Sequence, residues 1–200
     1  MKTILLDNGH GGIINGEYQT AGKRSPEWKD GSQLFEGEFN RAIVNGIIEE
    51  LTILKIPYVN IVPELKDISL ETRTNRANEY DDSIYISIHS NAGGGSGFEA
   101  YTYYGESKSD GYAAIFYNAF TKEFPTLNAR TDYSDGDVDK EANFYVLRTT
   151  KMPSVLLEIL FMDNFSECKE YLMTKHGRFR IIKFCVEAIK QIVGYDEYNM

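Results

Sequence analysis

Two histidines and two glutamates occupy positions from which they could share one cleft. His10 follows the apolar run 3–6 by way of Asp7-Asn8-Gly9 and precedes Gly11-Gly12, and His89 follows the run 83–88 and precedes Ser90-Asn91 and a glycine cluster. Each therefore stands just past a short buried strand, at a tight turn. Glu158 ends a third such run, 154–157, and Glu36 stands where a long polar segment meets a helical one. In a parallel sheet the carboxyl ends of the strands share one edge, and open α/β folds bind ligands there. Two imidazoles and one carboxylate suffice to hold a catalytic zinc ion with an open position, leaving the second carboxylate for proton transfer. Zinc acidifies water from a pKa of about 16 toward about 7 and polarises a carbonyl, the two things that amide hydrolysis needs. Glu158, at a buried strand end, suits the proton-carrying role.

Spacing alone says less. His10, Glu36 and His89 are 26 and 53 residues apart, with no compact His-Glu-x-x-His element. A lone histidine after a strand is more often a hydrogen-bonded structural residue than a ligand, and Gly9, Gly11 and Gly12 could serve only a strained turn. What favours a site is repetition, with two histidines at equivalent strand ends, both flanked by glycine.

The elements that must position these groups follow from periodicity. Residues 3–6, 58–62, 83–88, 98–104 and 154–157 read as strands. Phe39, Ala42, Ile43, Ile47, Leu51 and Leu54 recur at helical steps across 38–55, and helices are also expected over 70–80 and 113–124, the last stopped by Pro125. One or two helices fill 166–193, with Phe179, Ile182, Val186, Ile189 and Val193 as the apolar stripe; 144–147 is a short apolar run. Strands alternating with helices predict an α/β fold, a three-layer sandwich with a mostly parallel twisted sheet and helices on both faces. At 200 residues one domain spanning 1–200 is expected. Residues 13–34 and 128–141 read as long loops, and a loop that long in a compact domain is usually functional.

Three ordered motifs, Leu6-Asp7-Asn8-Gly9-His10-Gly11-Gly12, Phe35-Glu36-Gly37-Glu38-Phe39-Asn40 and Ile86-Ser87-Ile88-His89-Ser90-Asn91-Ala92, resemble the zinc motifs of the amidase-3 family of N-acetylmuramoyl-L-alanine amidases. A fourth, Tyr145-Val146-Leu147-Arg148 with Met152 through Asn164, resembles the segment carrying that family's acid-base glutamate. The resemblance, which covers about residues 3–193, implies that His10, Glu36 and His89 bind zinc and that Glu158 is the acid-base residue. It also implies hydrolysis of the amide between the lactyl group of N-acetylmuramic acid and L-alanine in peptidoglycan. Two departures stand out: Leu160 occupies a place where the family commonly has glycine, and the segment 28–35 is longer and more charged than usual. A zinc peptidase or deacylase acting on another amide, and a silent wall-binding module, are the rival readings; a silent binder has no use for both an open zinc site and a spare carboxylate.

The remaining features argue mainly for packing. Arg73 and Asn78 match the family's helix before the second histidine strand and read as structural residues at the cleft rim. His176 lies in a polar helical context and reads as solvated or capping. Tyr101, Tyr103 and Tyr104 read as strand packing in preference to groove contacts. Asp132, Asp135, Asp137, Asp139 and Glu141 could bind calcium, but their spacing lacks the glycine and final bidentate glutamate of an EF-hand, so they read as a solvated segment. Cys168 and Cys185 read as small core residues, with no disulfide or cysteine-zinc site.

A net charge of -9 argues against nucleic acid as a partner, and no apolar run approaches the ~20 residues that span a bilayer. The run at 3–6 is far shorter than the ~7–15 residue core of a signal peptide. A soluble monomer is therefore expected, made without a visible signal peptide, acting on the cell wall with no stable membrane association. A phage endolysin released by membrane permeabilisation fits these features.

Overall fold

The structure, a computed structural model, describes residues 1–105, 108–134 and 136–196. Six strands form one sheet: β1 (Thr3–Asn8), β4 (Tyr58–Asn60), β5 (Ser83–Asn91), β6 (Phe98–Thr102), β7 (Lys140–Glu141) and β8 (Ser154–Phe161), while β2 (Ile13–Ile14) and β3 (Glu17–Tyr18) make a small separate hairpin. The sheet order is β4-β1-β5-β8-β6-β7. The first four strands run parallel, β6 lies antiparallel to β8, and β7 is parallel to β6. The sheet is thus mostly parallel, as expected, with a reversed strand beside β8.

Side chains alternate across a strand, and this alternation divides the core in two. Ile4 and Leu6, Ile84, Ile86 and Ile88, and Val155, Leu157 and Ile159 face a larger core closed by α1 (Glu36–Ile53), α3 (Lys108–Glu123) and α6 (Lys175–Val193). Leu5, Tyr85 and Leu156 face the other way, onto Ala77 of α2 (Leu70–Ala77) and Val146 and Leu147 of α4 (Tyr145–Thr149). Helices therefore cover both faces, but the α2–α4 layer is thinner. Farther along β1, β5 and β8, the same alternation points Asp7, Ser87, His89 and Glu158 toward this thinner side.

Local signals explain the helix ends. The Ser69 and Thr174 hydroxyls accept from the backbone N–H groups of Thr72 and Gly177, capping α2 and α6. Glu36 and Glu38 bring negative charge to the positive end of α1. Left-handed Gly194 closes α6, where the absence of a Cβ removes the penalty of a positive φ. The short apolar run 144–147 supplies the N-cap, Phe144, and the first turn of α4. Two expectations are corrected. Helix α3 starts at Lys108 instead of 113, because its first turn is polar. Phe179 is 61% exposed; the buried stripe of α6 is centred on Ile181, Phe184, Cys185 and Ala188, a face that Phe179 does not share. Helix α6 is preceded by a short turn, α5 (Phe165–Glu167), and a π-helical turn at Cys168–Leu172.

Strand β8 carries one more residue than β5 at its carboxyl end, since His89 pairs with Glu158 but Asn91 pairs with Phe161. The bulge places Leu160 at φ 60°, in the left-handed region. That explains why glycine suits this position: the conformation costs a residue with a Cβ about 1–2 kcal/mol. Leu160 is fully buried, and burying a leucine side chain contributes about 1.5–3 kcal/mol, enough to offset the strain.

A buried ionic network ties β1, β5 and α2 together. The Asp7 carboxylate accepts from Arg73, from the Tyr85 hydroxyl and from Ser87 Oγ at 3.1 Å. Arg73 also donates to the Asn8 carbonyl at 3.0 Å and pairs with Asp67 at 3.2 Å. Asp7 is 1% and Arg73 2% exposed. Removing one member strands a charge away from water. Arg73→Met is expected to lower unfolding stability by about 3–5 kcal/mol, read from urea denaturation midpoints; a loss below about 1 kcal/mol would show that Asp7 finds other partners.

Candidate functional site

The structure brings His10, Glu36 and His89 together, with one ligand atom from each lying within 4.8 Å of the others. Glu36 Oε1 is 3.2 Å from His10 Nε2 and 3.0 Å from His89 Nδ1. It also accepts from the Ser90 N–H at 3.3 Å. The imidazole rings meet edge to face, with centroids 5.0 Å apart. Burial disfavours ionisation of Glu36, but the adjacent His10 and His89 imidazoles outweigh it and hold the carboxyl well below the usual carboxylate range. Burial likewise works against charge on His89, and Glu36 outweighs it, so that imidazole is raised above its ordinary value. Two nitrogens and an oxygen, converging where His10 Nε2 is buried without a well-formed hydrogen bond, are a donor set that fits zinc.

Close backbone approach makes this convergence possible. A Cβ on Gly9 would lie 2.1 Å from His89 Cε1, and one on Gly37 would lie 2.0 Å from the Gly11 carbonyl oxygen. Asn40, one turn into α1, donates to the Gly9 carbonyl at 3.0 Å. Glu38 accepts from the Ile13 N–H at 2.8 Å, and the Tyr18 hydroxyl accepts from the Gly37 N–H at 2.8 Å. The glycine loop is thereby fastened to the start of α1. His10 itself has φ 69°, a conformation that costs a residue with a side chain and is held here by its surroundings.

Glu158 sits beside the three-residue group, directly paired with His89 across β5 and β8. Its Oε2 is buried and has no hydrogen-bond partner among the described residues. Burial is the main cause that pushes its carboxyl up to about 7; attraction to His89 opposes the shift and the Glu36 charge adds to it. An acid of that strength can both accept and return a proton near neutral pH. His10, His89, Glu158 and Arg73 line one cleft of about 700 Å³, together with Ile68, Phe144 and Tyr145.

Among the polar groups in or next to the cleft that the sequence does not single out are Lys23, Asp67 and Ser69 in its lining, and Glu99 behind Glu158. Lys23, from the long loop, lines the cavity, and nothing in its sequence context marks it. Glu99 pairs with Glu158 across β6 and β8 and is 2% exposed. It accepts from Asn91 at 2.6 Å, Tyr101 at 2.9 Å, Arg130 at 2.5 Å and Lys140 at 2.6 Å. Burial raises the Glu99 carboxyl, yet Lys140, Arg130 and Tyr101 outweigh it and keep it below the ordinary value. An acidic residue between Phe98 and Ala100 was the available signal.

The remaining candidates fall outside the cleft, Arg73 excepted. Arg73 contributes to its lining from the buried network, whereas Asn78 joins α2 to the end of α4 through the Thr149 carbonyl and the Lys151 N–H. Tyr101 packs beside Phe144, and Tyr103 and Tyr104 are exposed and line a different, shallow depression. His176 is exposed in the first turn of α6, and Cys168 and Cys185 are buried free thiols. Within the acidic segment Asp135 lies outside the described residues. Asp139 departs from the expected solvated character: it is 2% exposed, and burial, then Asp137 and Asp110, push its carboxyl up to about 7 against the hydrogen bond from Thr102.

The family model of the N-acetylmuramoyl-L-alanine amidases of the amidase-3 type matches residues 4–191. The chain belongs to that family. Among similar proteins, the N-acetylmuramoyl-L-alanine amidase CwlM of Bacillus licheniformis is 39% identical over 104 residues, 52% of this chain and 38% of the relative. The endolysin of Bacillus phage SPP1 is 30% identical over 175 residues, 83% of this chain and 57% of the endolysin. The match thus spans well under two thirds of either relative. The N-acetylmuramoyl-L-alanine amidase structure from Clostridium difficile 630 superposes with a TM-score of 0.79 at 23% identity, covering 98% of both chains, which establishes a shared fold.

In this amidase-3 chain, Gly9 leaves no room for a side chain next to His89. Gly9→Ala is expected to keep the fold, by circular dichroism, while weakening zinc binding roughly 10- to 100-fold through displacement of the imidazole. Unchanged affinity in a zinc titration would show that His89 can shift without loss.

Proposed function

We propose that this chain hydrolyses the amide between the lactyl group of N-acetylmuramic acid and L-alanine of the stem peptide in peptidoglycan, with zinc held by His10, Glu36 and His89. The reading is supported above all by the arrangement of these three residues within 4.8 Å beside a buried, unpartnered Glu158 oxygen. When bound there, zinc supplies Lewis acidity toward the amide carbonyl and acidifies water.

The protein's own groups do the rest. Glu36 and the two imidazoles hold the ion between two strand ends and a helix start. Glu158 removes a proton from the attacking water and returns it to the departing amine, so one carboxyl serves as base and then acid. Ile68, Phe144 and Tyr145 give the cavity apolar lining, and Lys23 brings positive charge to it. The SPP1 relative, named as an endolysin, supports a role in phage-directed wall lysis. No helix among the described residues is long and apolar enough to cross a membrane.

Glu158→Ala is expected to bind zinc as the unaltered protein does and to lose roughly 10²- to 10⁴-fold in turnover; retention of more than about a tenth of the activity would remove Glu158 from this role. His89→Ala is expected to lose the metal, and full zinc occupancy by elemental analysis would remove it from the ligand set. Digestion of purified peptidoglycan is expected to release new N-terminal alanine, abolished by a chelator and restored by added zinc. New amino termini at other stem residues would instead identify a peptidase.

A further inference from the structure

Asp110, in the first turn of α3, and Asp137 and Asp139, just before β7, each present a carboxylate oxygen, and these oxygens all lie within 4.8 Å of one another. Acidic groups collect on many surfaces without binding anything, but Asp139 is not on the surface. It is 2% exposed, its Oδ2 accepts from Thr102 Oγ1 at 2.6 Å, and its Oδ1 is buried with no hydrogen-bond partner among the described residues. A buried carboxylate oxygen without a donor is costly. Two further carboxylates at this range add repulsion that a cation would relieve.

We propose that Asp110, Asp137 and Asp139 form a calcium site that fastens the segment 128–141 to α3. The donor set is entirely oxygen, the preference of hard cations, and lacks the imidazoles of the cleft. Calcium accepts irregular shells of oxygen at about 2.3–2.6 Å, which carboxylates drawn from a helix and a loop can supply in part, whereas magnesium demands a near-octahedral shell at about 2.0–2.1 Å and is seldom held by protein groups alone. Three carboxylates are too few to fill a calcium shell of 6–8 oxygens, so water completes it. The consequence reaches the cleft through the chain: Asp139 precedes Lys140, and the same segment carries Arg130, and both of these cations are held on Glu99 beside Glu158. A cation at the three aspartates fixes the segment from which both arise.

The test is calorimetric titration and thermal unfolding of the full zinc-saturated chain with calcium chloride, in parallel with magnesium chloride, comparing it with Asp137→Asn and Asp110→Asn. The expected result is one calcium per chain and an unfolding temperature raised by about 3–10 °C at ~10 mM calcium, the range that follows from a site of about 10⁻⁴–10⁻³ M affinity. Asp137→Asn keeps an oxygen for the Asp139 N–H and should be at least as stable as the unaltered protein without calcium, because repulsion is relieved; both variants should gain little from adding it. Absence of both binding heat and stabilisation in the unaltered protein would overturn the proposal. A full calcium response in both variants, or an equal response to magnesium, would overturn it as well.

Discussion

The carboxylate of Asp7, buried at the end of β1, is the constraint around which this molecule is arranged. A charge in that position is tolerable only if it is neutralised and hydrogen-bonded on the spot. Arg73 comes from α2, Tyr85 and Ser87 come from β5, and all three aim at the same two oxygens. The strand bearing His89 and the strand leading to His10 are thereby held in one register below the turns that carry the histidines. Arg73 spends its remaining hydrogen bonds on Asn8, Asp67 and Ile68, so the loop roofing the cleft is tied to the same centre. Asp7 and Arg73 thus give the cleft an ionic part, whereas Ile68, Phe144 and Tyr145 give it an apolar one.

The alternation of side chains along three parallel strands does the next piece of work. One parity fills the large core with isoleucine, leucine and valine, and the other passes from Leu5, Tyr85 and Leu156 to Asp7, Ser87, His89 and Glu158 toward the carboxyl ends. The helices on that side are short, α2 with eight residues and α4 with five. They cover the apolar half of this face and leave the polar half open. A cleft at the carboxyl edge follows from this difference in helix length.

Much of this was legible in the sequence because it is governed by short-range pattern. The apolar runs located β1, β5 and β8, the three-and-four spacing located α1, and glycines beside the two histidines marked turns whose tightness the structure explains at Gly9. What escaped was whatever depends on partners distant in the chain. Glu99 is a single acid in an apolar strand until Arg130 and Lys140 are brought to it, and Asp110 gains meaning only beside Asp137 and Asp139. Phe179 shows the reverse failure: a large apolar residue at helical spacing was assigned to the core, yet α6 presents a different face to the sheet. The bulge at Leu160 left a trace in the sequence, but which strand it interrupts and which way it turns the following residues came only with the pairing of β5 and β8.

The position of β8 bears on how the molecule comes into being. Strands β5 and β6 are neighbours along the chain, yet they do not pair; β8, more than fifty residues further on, lies between them. Until synthesis has passed Phe161, neither can have its final partner on that side, and two strand borders that end up in the middle of the sheet stay open. Closing such long-range pairings is slow, because the entropy of the intervening chain must be overcome first. The strand that closes the gap is the one bearing Glu158. The Glu158 carboxyl thus enters the cleft in the same event that completes the sheet, and a nascent chain cut short of it holds both histidines and Glu36 but lacks Glu158.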